Sequence, residues 1–287
     1  MKYAFIKSKS GLFPLRLLCS VLRVSRSGYY AWLRRHAKGS RRFFILNAIR
    51  QVHKESRQSY GSPRVFKALR NANMSVSKST VERIMQEHNI RGKKRRGFKR
   101  TTDSNHTMAI AENSVDRRFD RGAKNRVWLS DITYLRLKHG WAYLAAIIDG
   151  HTRKIVGFSV DDHMRVELVS EALTSAYWRE RPEEDLLLHS DRGSQYASDA
   201  YRRLMNSFKL IQSMSRRGNC WDNAPMESFF DTLKTELIDN RIFEDVHEAK
   251  TTIFEWIEVF YNRKRIHSAL RYLSPACFEE KYWAKAA

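Results

Sequence analysis

Three carboxylates stand out in this sequence because of their surroundings. Asp131 falls inside NRVWLSDITYLRL (residues 125–137), where Val127, Leu129, Asp131, Thr133 and Leu135 alternate onto one face of a strand. Asp191 closes LLLHSD (186–191), a short apolar run of the kind a buried parallel strand would show. An ionised Asp in either place is costly to bury unless it is paired or bound to a cation. Glu227 lies on PMESFFDTLKTELI (225–238), where Met226, Phe230, Leu233 and Leu237 recur at helical spacing and fix the buried stripe. Lys234 comes seven residues later, so it and Glu227 share a neighbouring face. Taken singly, such a pair is usually two solvated helix charges. Oxygen donors with no Cys or His cluster beside them favour Mg²⁺ or Mn²⁺, which take the rest of their shell from water and substrate phosphate.

To meet, Asp131 and Asp191 need two adjacent central strands. The pattern supplies them: strands at 125–137, 141–150 and 154–160, a helix carrying Val169, Ala172, Leu173, Ala176 and Tyr177, then the strand 186–191. A helix opening at Ser198 and a last strand, LIQSMS (210–215), lead to the helix of Glu227. This is a mixed α/β arrangement. Pro225 suits a first helical turn, with Asn223 or Asp222 as its cap. Asp149, before Gly150, reads as a turn residue, and Asp161 and Asp162 read as caps or dipole partners of the following helix. Trp128 and Trp141 are expected in the core, and packing is favoured over base stacking for Trp221.

The formal charge is +22, and its distribution is uneven. Residues 1–100 hold 26 Lys/Arg against Glu55, Glu82 and Glu87, whereas the rest of the chain is close to neutral. That split predicts a polyanion-binding module joined to a near-neutral one. Residues 12–35 predict a helix from Pro14, with Leu15, Leu18, Val21 and Leu22 on one stripe, then a second helix capped by Ser25. Phe44, Ile45, Ala48, Ile49 and Val52 predict a further helix, and YGSPRV (60–65) leads into another with Val65, Leu69 and Ala72. Ser77 and Thr80 precede a helix with Val81, Ile84 and Met85 inward, the form a recognition helix takes. Candidate DNA contacts here are Arg64, Lys78 and Arg83, with Arg91, Lys93, Lys94, Arg95, Arg96, Lys99 and Arg100 of the basic run 91–100. Arg192 and Lys234 are candidates beside the carboxylates. Cys19, Cys220 and Cys277 form no CxxC pair, and no apolar run approaches the roughly 18 residues of a membrane span, so a soluble, cytoplasmic, nucleoid-associated protein is expected.

With 35 residues between Asp191 and Glu227, the chain resembles the insertion-sequence transposases of the IS-three type and, more distantly, retroviral integrases. The likeness is carried by WLSDITYL, HSDRGSQY, SRRGNCWDNAPMESFFDTLKTE and YNRKRIHSALRYLSP, and upstream by YGSPRV and VSRSGYYAW. It implies an α/β fold: a ribonuclease-H-like, mixed-sheet core preceded by helix-turn-helix-type DNA-binding units. The expected division is a helix-turn-helix-like segment (1–40), a basic helical domain (41–100), a linker (101–120), the catalytic core (121–245) and a helical C-terminal extension (246–287). The resemblance implies that Asp131, Asp191 and Glu227 form an acidic triad holding two Mg²⁺ or Mn²⁺ ions, with Lys234 beside it. His189, Ser190, Arg192, Gly193, Tyr196 and Asn223 would frame that triad. The chemistry would be in-line displacement at phosphorus, cleaving transposon ends and joining them to target DNA. A homo-oligomer on double-stranded DNA is implied, with an upstream-frame partner segment carrying a helix-turn-helix and a leucine zipper. A non-catalytic repressor and a branched-DNA nuclease of the same fold remain the alternatives. Two departures from the family pattern stand out: Asp231, between Glu227 and Lys234, and Arg271, where relatives often have Gly.

Overall fold

The structure is a computed structural model that describes residues 1–37, 41–93, 108–216, 220–238 and 241–286. It forms two compact units, Met1–Glu55 with Tyr60–Arg91, and Ser56–Ser59 with Gly92–Ala287.

The first unit is helical: α1 (Lys2–Lys9), α2 (Leu15–Val21), α3 (Arg26–Ala37), α4 (Arg41–Glu55), α5 (Ser62–Asn71) and α6 (Lys78–Glu87). Ser25 Oγ accepts the Gly28 amide at 3.0 Å, and Ser77 Oγ accepts the Thr80 amide at 3.2 Å. These bonds satisfy helix-start donors that would otherwise lack partners. Ile6, Leu18, Cys19 and Tyr29 make one core cluster. Ile45, Ile49, Val65, Leu69, Val81, Ile84 and Met85 are buried as well. Val21 and Phe44, expected on inward stripes, are exposed. In the two-turn α2 the buried positions are Leu18 and Cys19, which leaves Val21 on the outer side.

The second unit is built on five strands, β1 (Val127–Arg136), β2 (Trp141–Asp149), β3 (Ile155–Asp161), β4 (Leu187–Ser190) and β5 (Ile211–Met214), in the order β3-β2-β1-β4-β5. The first three form an antiparallel meander, and β4 and β5 join in parallel. Val127, Leu129 and Leu135 of β1 face a cluster shared with α10 (Ala224–Leu233) and α11 (Val246–Phe254). Trp128 and Ala145 face the opposite cluster, shared with α7 (Val166–Glu180), α8 (Ser194–Ala197) and α9 (Asp199–Ser207). Helices thus cover both faces of a mixed sheet, the ribonuclease-H-like α/β architecture that the sequence led us to expect. Ser198 caps α9 as expected, accepting the Tyr201 amide at 3.2 Å. On β3, Gly157 lets α7 come close, since a Cβ there would fall 2.3 Å from the Ala172 carbonyl oxygen.

Residues beyond 245 belong to the same core. Ile253, Trp256, Ile257 and Phe260 are buried in the cluster below β1. Asn262 clips the end of this segment to β3, its Oδ1 accepting the Ile155 amide at 2.9 Å and its Nδ2 donating to the Ile155 carbonyl at 3.0 Å. Arg265 and Glu236 form a buried, forked ion pair. Arg271 takes φ 53° and ψ 33°, a left-handed conformation that glycine adopts without strain. The chain ends in α12 (Pro275–Ala286). No helix among the described residues is long and apolar enough to cross a membrane.

Two expectations about tryptophans need correction. Trp128 is fully buried, but Trp141 is 52% exposed at the start of β2, and Trp221 is 67% exposed, so packing does not account for it.

Candidate active site

Strand register puts two of the carboxylates side by side. β1 and β4 pair in parallel, with Leu129 opposite His189. Asp131 lies two residues beyond Leu129, on the face toward α10, and Asp191 two beyond His189, one residue past the end of β4. Asn223 Nδ2 donates to the Ser130 carbonyl at 3.2 Å, which fastens the start of α10 next to Asp131. Glu227 is one helical turn further along α10.

The electrostatics record the same gathering. Burial pushes the Asp131 carboxyl well above the usual carboxylate range, and the charges of Asp191 and Glu227 push it the same way. A hydrogen bond from the Ile132 amide at 2.8 Å and the nearby Lys234 act in the opposite direction. Burial likewise raises the Tyr196 phenol, as do Tyr201 and then Asp131 and Asp191. Burial raises Glu227, with Asp231 adding to the effect, so the extra acid is felt by the site. Asp191 Oδ1 accepts the Gly193 amide at 2.9 Å, which shapes the turn beyond β4.

Around the carboxylates lies a buried polar frame. Ser130 and Tyr196 share a hydrogen bond of 2.9 Å. His189 is buried between Ser213 at Nδ1 (2.9 Å) and Ser215 at Nε2 (3.0 Å), and burial holds its imidazole down at about 4, hence neutral. Arg192 Nε donates to the Ser215 carbonyl at 2.7 Å. None of these pairings is visible in the sequence, because the partners lie 23 to 66 residues apart.

The start of α10 differs from expectation. Asn223 holds the cap position without a side-chain cap bond, because its amide is turned to β1. Asp222 does not cap either. Fully buried, it accepts from Arg216 Nε (2.9 Å), Arg216 Nη2 (2.8 Å), Arg117 Nε (3.1 Å) and Asn113 Nδ2 (2.9 Å). α10 continues at Lys234 into a wider, π-helical turn, Lys234–Ile238. Asp149 is the turn residue expected, accepting the amides of Asn125, His151 and Thr152. Asp161 and Asp162 do not cap α7, whose cap position is Arg165; Asp161 instead pairs with His163 at 3.4 Å and Lys250 at 3.9 Å. His267 takes a structural part, its ring edge-on to Tyr261 and its amide bonded to the Leu273 carbonyl at 2.9 Å.

Asp161, Asp162 and His163 are also the one group of three potential metal ligands, among the described residues, whose donor atoms all lie within 4.8 Å. The Asp131, Asp191 and Glu227 carboxylates therefore do not close to that spacing. A pair of cations about 4 Å apart needs a broader cradle than one ion does.

Of the expected DNA contacts in the first unit, Arg64 lies on α5, 5.8 Å from the Tyr60 ring, while Lys78, 3.5 Å from Glu82, and Arg83 lie on α6. Lys93 is engaged by the Glu236 carbonyl at 2.7 Å. Lys94, Arg95, Arg96, Lys99 and Arg100 lie outside the described residues.

Integrase core domain models match residues 122–220 and 209–275, and an HTH-like domain model matches 40–98. The chain is 42% identical over 273 residues to the insertion element IS600 uncharacterized 31 kDa protein of Shigella sonnei, covering 94% of this chain and all of that one. It is 36% identical over 285 residues to the transposase InsF for insertion sequence IS3A of Escherichia coli (strain K12), covering 98% and 99% of the two chains. Among solved structures, a simian T-cell lymphotropic virus intasome aligns at 14% identity and a TM-score of 0.44, covering 72% of this chain and 66% of that one. The catalytic core of BIV integrase aligns at 15% and 0.40, covering 57% and 99%. At those scores the solved structures resemble this chain only loosely. The curated relatives match it almost end to end, across both the helical unit and the carboxylate-bearing sheet, and so this chain belongs to the family of transposases of IS3-type insertion sequences.

Proposed function

We propose that this transposase is of the acidic-triad kind, with Asp131, Asp191 and Glu227 as its catalytic carboxylates and Lys234 as the adjoining phosphate contact. The observation that supports this most directly is the parallel pairing of β1 with β4, which ends just before Asp191, with Asp191, Glu227 and Lys234 all acting on the charge of Asp131. The donor set fits Mg²⁺ or Mn²⁺: three carboxylates, with one Lys among the groups acting on Asp131. Burial and repulsion from Asp191 and Glu227 raise Asp131 against the pull of the Ile132 amide and Lys234, and divalent cations would favour the ionised form of all three carboxylates.

When bound, two such ions supply charge neutralisation at phosphorus and activate the attacking oxygen. The protein's own part is positioning. The β1–β4 pairing fixes two carboxylates, and the Asn223–Ser130 bond fixes the helix that brings the third. Lys234 meets the phosphate charge that builds up as the bond breaks. The cleavage product is a transposon 3′ end, whose hydroxyl attacks the target strand in the same site. Bringing two ends and a target together calls for an assembly of several protomers on DNA, joined by a segment encoded upstream.

A Mn²⁺-dependent nicking and joining assay on a duplex carrying the element's terminal repeat tests this reading. Asp131→Asn, Asp191→Asn and Glu227→Gln are each expected to lower cleavage at least 1000-fold while leaving DNA binding within about threefold, since each removes charge at the transition state (on the order of 4 kcal/mol). Wild-type-like cleavage by any one of them overturns the triad. DNA bound by the wild type without cleavage favours a repressor, and hydrolysis without joined strands favours a nuclease.

A further inference from the structure

Residues 101–287 are close to neutral overall, yet four arginines gather around one cavity there. Arg117, Arg118, Arg121 and Arg153, with Phe119 and Asp120, line a space of about 700 Å³ open to solvent. Its floor is set by a close backbone approach: a Cβ on Gly150 would lie 2.1 Å from the Phe119 carbonyl oxygen, so the 117–121 segment rests directly on the β2–β3 turn. Arg153 stands on that turn in a left-handed conformation, φ 58°. It is half-buried; burial disfavours its charge, which Tyr261, Asp120 and Asp149 favour from beyond ion-pair distance. The lone acid of the cavity, Asp120, is already engaged by His151 Nδ1 at 2.7 Å and the Gly122 amide at 2.9 Å. Arg121 gives one bond to the Ser114 carbonyl, at 3.1 Å.

A half-buried guanidinium whose acidic neighbours lie beyond ion-pair distance, amid three more, is the chemistry of an anion site, and guanidinium forks match phosphate oxygens. We propose that this cavity is a second DNA site, which takes a backbone phosphate of the strand the enzyme acts on. Its place fits that occupant. Gly150 donates to the Val127 carbonyl, four residues before Asp131 on β1, which is about 13 Å along the strand. Roughly four base-pair steps of duplex cover that length. Phe119 packs on the same sheet face as Asp131, and Arg117 Nε reaches Asp222 at the start of α10. A phosphate gripped here sets how far DNA extends past the carboxylates. The proposal rests on DNA as substrate and does not depend on the identity of the triad.

The test uses the full chain in EDTA, so that cleavage plays no part. Binding of a fluorescent terminal-repeat duplex is followed by anisotropy against salt, for Arg118→Gln/Arg121→Gln/Arg153→Gln and for a control that removes equal charge elsewhere, Arg126→Gln/Lys138→Gln/Arg203→Gln. The slope of log affinity against log salt is expected to fall by about one, the share of a single phosphate, for the cavity variant and to stay unchanged for the control. Should the triple variant melt early, Arg118→Gln/Arg121→Gln, which changes exposed residues alone, is expected to lose most of that same slope of about one. In the wild type, phenylglyoxal labelling of Arg118, Arg121 and Arg153, read by mass spectrometry, should be suppressed by the duplex. Equal slopes for cavity and control variants, or labelling indifferent to DNA, overturns the proposal. Suppression by inorganic phosphate alone, with equal slopes, assigns the cavity to a free anion and overturns the DNA assignment.

Discussion

Asp222 has no solvent exposure, yet hydrogen bonds from Arg216, then Arg117, hold its carboxyl below the usual carboxylate range. A folded-state pKa below the unfolded one means that this carboxylate stabilises the protein above the unfolded value, near 4, and that its contribution fades as pH falls through the folded one. Asp222→Asn is therefore expected to cost about 2 kcal/mol at pH 7, with the gap to wild type narrowing below about pH 4. Urea unfolding at pH 7 and pH 3 checks this, and a gap that stays constant with pH would count against it. The sequence marked Asp131, Asp191 and Glu227 because each broke a local apolar pattern. It gave Asp222 only a capping role, since its partners Asn113 and Arg117 lie more than 100 residues away. Arg153 was silent for the same reason: nothing in its neighbours hints that residues 117–121 lie across them.

At the scale of elements, periodicity and caps carried most of the information. Ser25, Ser77 and Ser198 start helices as a hydroxyl before an apolar stripe should, and all five strands fall where alternation or apolar runs placed them. The short α8 and the π-helical turn at Lys234 were not legible, because four or five residues are too few to set a period. Trp141 was misread for a related reason: a large aromatic at a strand end meets solvent as easily as core. Gly157 shows an element-level constraint that composition hides. Its missing side chain sets the distance between β3 and α7, with the Ala172 carbonyl and Ala176 against it. Gly157→Ala is expected to destabilise by about 3 kcal/mol through overpacking, measured by chemical denaturation, while Gly11→Ala, which meets nothing within 4 Å, stays within about 0.5 kcal/mol. Equal effects of the two would show that α7 has room to move away.

Across the whole molecule, charge and chemistry are kept apart. The first 100 residues carry nearly the entire positive excess, whereas the carboxylates sit in the near-neutral remainder. A fragment ending near residue 105 is expected to retain most of the duplex affinity and a steep salt dependence, and salt-insensitive binding by it would contradict the charge argument. The clip made by Asn262, and the burial of Trp256 and Phe260 beneath β1, also bear on how the chain is made. During synthesis α10 covers that side of the sheet only in part until residues 246–262 fold onto it. A polypeptide broken off before residue 246 would leave that apolar surface open to water and is expected to aggregate.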